Sequence, residues 1–414
     1  MTNSNTEVAI IGGGAAGIAA ARRLAKAAID CLIIEARPRL GGRAWTIDGA
    51  QGFPLDLGCG WLHSADRNPW GPIAAAQGKT IDKTLPPWER PSMPIGFAVA
   101  EQEEFAKAMR EFFQRVSPPA DPAADVAAAA MLEPGNRWNN LITAVGTYIS
   151  GAEYDRVSAR DFDCYDDSGV NWRVVEGYGA TIAAHGAGLP AVLDCPVLQI
   201  DHSGRRLKIE TAKGIITADR AIVTLPTAVL AEKEFLFTPP LPEKTEAARG
   251  LPLGLADKLF LSLEDAEEFE AGGQLFGRTD RVGTGAYYFR PFGRPMIEAY
   301  FGGQLAADLE AGGERAFFDF ASAELGSLLG RDFVRRIKPL HSHQWGADPF
   351  ARGSYSYAQP GKADCRAKLG RLVDGRLFFA GEASSPDNFS TAHGGWLSGV
   401  AAAEQAIAAR GPRR

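Results

Sequence analysis

The strongest constraint in this chain of 414 residues is a glycine-rich turn near its start. Gly12-Gly13-Gly14-Ala15-Ala16-Gly17 satisfies G-x-G-x-x-G. It follows the apolar run Val8 to Ile11 and opens the helix-forming stretch Ala15 to Ala28. A second apolar run, Cys31 to Ile34, ends at the acid Glu35. Strand, glycine turn, helix, strand and acid in that order make a β-α-β unit for a dinucleotide. Gly12 permits the tight turn, Gly14 lets the backbone approach a pyrophosphate, and Gly17 lets the helix pack on the strand. Ala15 and Ala16 place free N–H groups at the positive end of the helix dipole. Glu35 can accept hydrogen bonds from ribose hydroxyls, and Ala36 and Arg37 continue the same bed.

Composition narrows the rest. With 45% apolar and 23% charged residues, the chain is that of an ordinary globular protein of two or three domains. No run of 18 apolar residues occurs, so no membrane helix is expected. A net charge of −6 argues against a nucleic-acid partner. Five cysteines, an odd count without C-x-x-C spacing, predict neither a disulfide framework nor a zinc site. His341 and His343 have no third ligand candidate, so no metal is expected. The polar start, Met1 to Thr6, has no basic and apolar leader and predicts a cytoplasmic protein.

A second glycine pair follows the acid. In Arg37-Pro38-Arg39-Leu40-Gly41-Gly42-Arg43, Gly42 allows another close backbone approach and Arg43 offers its donor fork to a pyrophosphate. Two such clamps suit a cofactor buried lengthwise, which favours FAD over NAD. Further along, Val197 to Ile200, Leu207 to Thr211, Gly214 to Thr217 and Ala221 to Leu225 read as strands. Leu259 to Leu263 and Tyr287 to Phe289 suggest a second sheet. Leu377 to Ala380 and the helix Gly394 to Ala409 return to nucleotide-binding texture. Glu101 to Val116 reads as an amphipathic helix, and 117–130 as a connector running into a helix. The expected architecture is α/β plus α+β. A Rossmann-like FAD domain (1–84, 170–250 and 340–414) carries an inserted substrate domain of mixed sheet and helices (85–169 and 251–339).

At this point GGGAAG, IIEARPRLGGRAWT and LDLGCGWLH together resemble the FAD-dependent amine oxidase family, which includes monoamine oxidases, polyamine oxidases and flavin-dependent histone demethylases. Trp345 to Tyr357, Phe378 to Glu382 and Thr391 to Gly399 are similar to the family's C-terminal blocks. The resemblance implies noncovalent FAD, an amine substrate and molecular oxygen as acceptor. A hydride leaves the carbon next to nitrogen, the imine hydrolyses, and hydrogen peroxide forms. Ser354 stands where monoamine oxidases tether flavin through cysteine, and a serine cannot form that thioether.

The same resemblance assigns roles. Lys258 matches the lysine that holds a water beside flavin N5, and burial is expected to lower its pKa. Tyr355 and Trp396 match the two aromatic walls of the amine cage, and His63 a substrate-side histidine. Gly58, Trp61, Val197, Trp345, Gly381, Glu382 and Thr391 complete the expected cofactor bed. Asp66 and Asn68 are further candidates for facing the amine. A carbon–carbon desaturase or porphyrinogen oxidase shares the Gly-Gly-Arg feature, but the segment Gly353 to Tyr357 and Lys258 argue against it, and two other rival readings stand. An amino-acid oxidase of the same fold requires an arginine for the substrate carboxylate, with Arg290, Arg294 and Arg352 as candidates. A flavoprotein scaffold without turnover is the other.

Overall fold

The computed structural model describes residues 4–49, 51–117, 125–233 and 235–410. Its first sheet is built around Ser4–Ile11, whose apolar residues are buried on both faces as in a parallel core strand. Cys31–Ile34 lies parallel on one side, with Ala9 opposite Leu32, and Gly214–Val223 lies parallel on the other, with Ile10 opposite Ile222. Leu377–Phe379 pairs with the end of Gly214–Val223, so a segment near residue 380 sits two strands from residue 10. Leu207–Thr211 and Val197–Asp201 extend the sheet as an antiparallel meander.

Gly214–Val223 corrects the expectation of two separate strands. Asp219-Arg220 interrupts the apolar pattern, but Ser4–Ile11 pairs with the strand from Ile216 through to Val223 and keeps it continuous. The amphipathic helix runs Val99–Val116. Half of the expected connector, 118–124, lies outside the described residues; its described end is a short 3-10 turn, Ala128–Met131.

The helices Ala15–Lys26 and Ala392–Ala408 pack together over this sheet. Contact is backbone-close: a Cβ on Gly399 would stand 2.1 Å from the Ala16 carbonyl oxygen. Both helices begin at the same place, since a Cβ on Gly395 would lie 3.8 Å from the Ala16 amide nitrogen. Two positive dipole ends therefore converge at the carboxyl ends of the central strands, where open α/β sheets bind ligands.

The second sheet is antiparallel, in the order Gly273–Phe276, Ala286–Phe289, Met296–Gly302, Ala256–Leu263, Ile337–Ser342. The expected boundary between 339 and 340 falls inside its last strand. One face, with Ile297, Ala299 and Phe301, packs under helices that contribute Leu309, Phe317 and Leu325. The other face carries Phe260 and Met296 against Leu55, Leu57 and Trp345. Among the described residues no helix is long and apolar enough to cross a membrane.

Arg366 and Asp161 tie the middle of the chain to its C-terminal part through a buried two-pronged pair at 2.6 and 2.7 Å. Removing one partner of such a pair leaves a charge uncompensated, at a cost of about 3 kcal/mol or more. Asp161→Asn is expected to lower the unfolding free energy by about that amount, read as an earlier urea midpoint.

Candidate active site

The glycine turn has the conformation its sequence demands. Gly12 has φ of +107°, and a Cβ there would lie 2.5 Å from Thr224 Oγ1. The second glycine pair docks directly on it: the Gly41 amide donates to the Gly13 carbonyl at 2.8 Å, and Gly14 bridges to Gly41. Glu35 accepts from the Gly13 amide at 2.6 Å and the Arg37 amide at 2.8 Å. Each carboxylate oxygen retains a lone pair for a ribose hydroxyl. Cys195 donates its amide to the Glu35 carbonyl at 2.9 Å, so the buried strand start at Val197 sits beside this end of the bed. Arg37 itself is turned away, paired with Asp348 at 2.7 and 2.8 Å. Ala36 is largely covered beside it.

A small pocket adjoins the turn, lined by Arg43, Thr224, Leu225, Pro226, Gly381 and Glu382 among others. Arg43 Nη1 donates to the Ser354 carbonyl at 2.8 Å and to Glu382 at 2.9 Å. Glu382 also accepts from Ser356 Oγ at 2.6 Å and the Ser390 amide at 3.0 Å. Burial works to raise the Glu382 pKa, but Arg43, Ser356 and Arg366 outweigh it and hold the carboxyl below its usual range. Glu382 was expected to serve cofactor hydroxyls; the structure commits both of its oxygens to the protein. Thr391 caps the last helix by accepting from the Gly394 amide at 3.0 Å. Gly58 is packed so tightly that a Cβ would stand 1.8 Å from the Arg43 carbonyl oxygen and 3.2 Å from the Trp345 ring. Trp345 is buried, and its indole donates to the Leu57 carbonyl at 3.1 Å. Paired glycine turns, two helix N-termini, Arg43 and the adjoining pocket fit a dinucleotide pyrophosphate.

The second sheet turns a polar face to this bed. Strand alternation and register put Lys258, Phe260, Tyr288, Glu298 and Tyr300 on one side, with Lys258 opposite Tyr300 and Phe260 opposite Glu298. Lys258 is thus the diagonal neighbour of Glu298, within reach of a long side chain. Lys258 Nζ donates to the Asp56 carbonyl at 2.9 Å and pairs with Glu298 Oε1 at 3.1 Å. Glu298 Oε2 takes Arg173 Nη2 at 2.9 Å. Lys258, Glu298 and Arg173 are 6%, 7% and 5% exposed. Burial acts to raise the Glu298 pKa, but the two cations outweigh it and hold it at about 2. The lone desolvated lysine expected from the sequence is instead ion-paired.

The aromatic residues fall into separate groups. Tyr355 donates its hydroxyl to the Tyr148 carbonyl and lies 3.2 Å from the Tyr300 hydroxyl. Trp396 packs in a cluster that includes Leu62 and Cys59, and its buried indole N–H has no partner among the described residues. Trp61 stacks edge-on with Trp88 at 4.6 Å and lies 6.5 Å from Tyr288. His63 bonds Asn171 at 2.7 Å and stacks at 6.4 Å on Trp88; burial, the largest influence on it, lowers its pKa.

Several candidates are corrected. Asn68 is buried and shapes a turn, donating to the His63 carbonyl at 2.9 Å and accepting from the Trp70 amide at 3.0 Å. Asp66 is exposed and bonds Ser168. Arg290 donates to the Phe269 carbonyl, Arg294 to the Pro54 and Val175 carbonyls, and Arg352 pairs with Glu232. Sequence reasoning missed Glu298, Arg173, Tyr148 and Tyr300. Glu298 and Arg173 each bring a charge into an apolar stretch, as Lys258 does, but neither falls on a matched family position. Among the described residues no three metal-binding side chains come together.

Fold and site together define a flavoprotein of the dinucleotide-binding type, with a second sheet closing over the cofactor bed. Comparison with known proteins agrees. The pattern of flavin containing amine oxidoreductases matches residues 103–407, and that of an NAD(P)-binding Rossmann-like domain matches residues 10–73. The chain belongs to the flavin-containing amine oxidase family. It is an FAD-dependent oxidoreductase acting on CH–NH or CH–NH2 groups. Polyamine oxidase 3 of Oryza sativa subsp. japonica is 31% identical over 96% of this chain and 88% of its own length. Polyamine oxidase 2 of Arabidopsis thaliana is 30% identical, covering 98% and 88%. The structure of wild-type putrescine oxidase bound to putrescine superposes with a TM-score of 0.80 at 18% identity, covering 98% of this chain and all of that one, a likeness of fold.

The depressed pKa of Glu298 sets a pH window. Its stabilising contribution is complete above the ordinary carboxyl value of 4.5 and is lost as pH falls toward about 2. Glu298→Gln is expected to flatten that part of the stability–pH curve, measured by urea unfolding between these limits.

Proposed function

We propose that the protein oxidises a C–N bond of a small primary or secondary amine, of monoamine or polyamine type. Bound FAD would supply the two-electron oxidant that accepts hydride from the carbon next to nitrogen, with oxygen then reduced to hydrogen peroxide. Arg43 and the paired glycine turns would hold the pyrophosphate, and Glu35 the adenosine ribose. Lys258, set by Asp56 and Glu298, positions water and moves protons where the imine is hydrolysed. Tyr355, with Trp396, orients the neutral amine by its ring face. His63, beside Trp88, stands on the substrate side.

The observation that carries this reading is Lys258: a buried lysine whose Nζ is fixed at a defined point on the sheet face turned to the cofactor bed. Anaerobic mixing with putrescine, spermidine, aromatic amines and amino acids, followed by flavin absorbance, tests it. Bleaching by at least one amine is expected, and no bleaching by any would refute oxidation. Lys258→Met should keep FAD but slow reduction or reoxidation by tenfold or more in stopped flow; an unchanged rate removes Lys258 from the chemistry.

The flavin is proposed to be noncovalent. Ser354 Oγ accepts from the Ala256 amide at 2.9 Å and donates to the Ala256 carbonyl at 3.0 Å, which ties it to the strand of Lys258. Acid precipitation is expected to leave a white pellet and a yellow supernatant.

A further inference from the structure

We propose that Arg173 is a carboxylate-binding residue of the substrate chamber, so that the amine oxidised here carries a carboxylate. The proposal rests on the amine-oxidase reading and narrows its substrate class. Arg173 has five N–H donors on a planar fork. Nη2 is spent on Glu298. Nε and Nη1 are buried and have no hydrogen-bond partner among the described residues. Around them stand aromatic faces: the guanidinium carbon is 4.7 Å from the Phe292 ring centre, 5.0 Å from Trp61 and 5.8 Å from Tyr288. Such faces attract the charge but accept no ordinary hydrogen bond. Glu298 cannot serve these two donors as well, because its other oxygen is held by Lys258. A charged donor left unpaired away from water is costly, and a ligand carboxylate is the planar acceptor that matches this fork.

Position limits the size of the ligand. A Cβ built on Gly60 would lie 3.2 Å from Lys258 Nζ and 3.4 Å from Arg173 Nη2. The lysine and the arginine therefore crowd the same stretch of backbone beside Asp56, with Glu298 held between the two cations. With the reacting C–N bond beside Lys258, the acid group belongs to the same short molecule, an α-amino acid or short ω-amino acid. The second ammonium of a diamine placed there would meet a like charge.

Two matched pairs test this on the FAD-loaded enzyme: L-phenylalanine against phenylethylamine, and γ-aminobutyrate against putrescine. At least one acid-bearing member is expected to bleach the flavin tenfold or more faster than its partner, and Arg173→Gln should abolish that preference. Calorimetry with hydrocinnamate, an acid without an amine, reads the anchor without turnover. Binding should weaken at least tenfold in Arg173→Gln and recover in part in Arg173→Lys, which also controls for misfolding. Hydrocinnamate binding untouched by Arg173→Gln, or faster bleaching by both simple amines, overturns the proposal and leaves the amine-oxidase reading standing. Bleaching by none of the four, with arginine-dependent hydrocinnamate binding, refutes oxidation of these amines and keeps the anchor.

Discussion

One carboxylate gathers the parts of this molecule. Glu382 accepts hydrogen bonds from Arg43, Ser356 and Ser390, and so joins the second glycine turn, the segment after Trp345 and the start of the last helix. Arg366 reaches Ser356 from the other side at 2.9 Å while its fork holds Asp161. A buried acid of this kind is stable only when its oxygens are fully used. That requirement brings residues more than 300 positions apart to the carboxyl ends of the central strands. The pocket beside Arg43 exists because of that convergence.

A second buried carboxylate does comparable work on the sheet that closes the site. Antiparallel register makes Lys258 and Glu298 diagonal neighbours, and Arg173 approaches from a separate segment to share the same acid. Glu298 thus orders the charged wall: it fixes the lysine at one oxygen and the arginine at the other.

Legibility followed the range of the interaction. Gly12, Gly14, Gly17 and Glu35 could be read because a tight turn and a strand-ending acid are needs of one short β-α-β segment. Lys258 could be read because it falls on a position of the family's pattern; by itself, a lysine in an apolar strand reads as a side chain reaching for solvent. Arg173 and Glu298 have no such match, and only their pairing across 125 residues made their charges meaningful. Asn68 and Asp66 show the opposite error. Nearness in sequence to His63 suggested a shared site, but Asn68 shapes a turn and Asp66 faces outward. The split reading of Gly214–Val223 failed because a neighbouring strand, absent from any local window, supplied the pairing.

The sequence by itself determined the dinucleotide turn, the strands that flank it and the family of the chain, since each depends on residue type at short spacing. Tertiary structure alone decided that Lys258 is ion-paired, that Glu382 is committed to protein donors and that Arg173 keeps two buried donors unspent. The reason is physical: a turn is set by the backbone freedom of adjacent residues. The state of a buried charge is set by whichever distant groups the fold places around it.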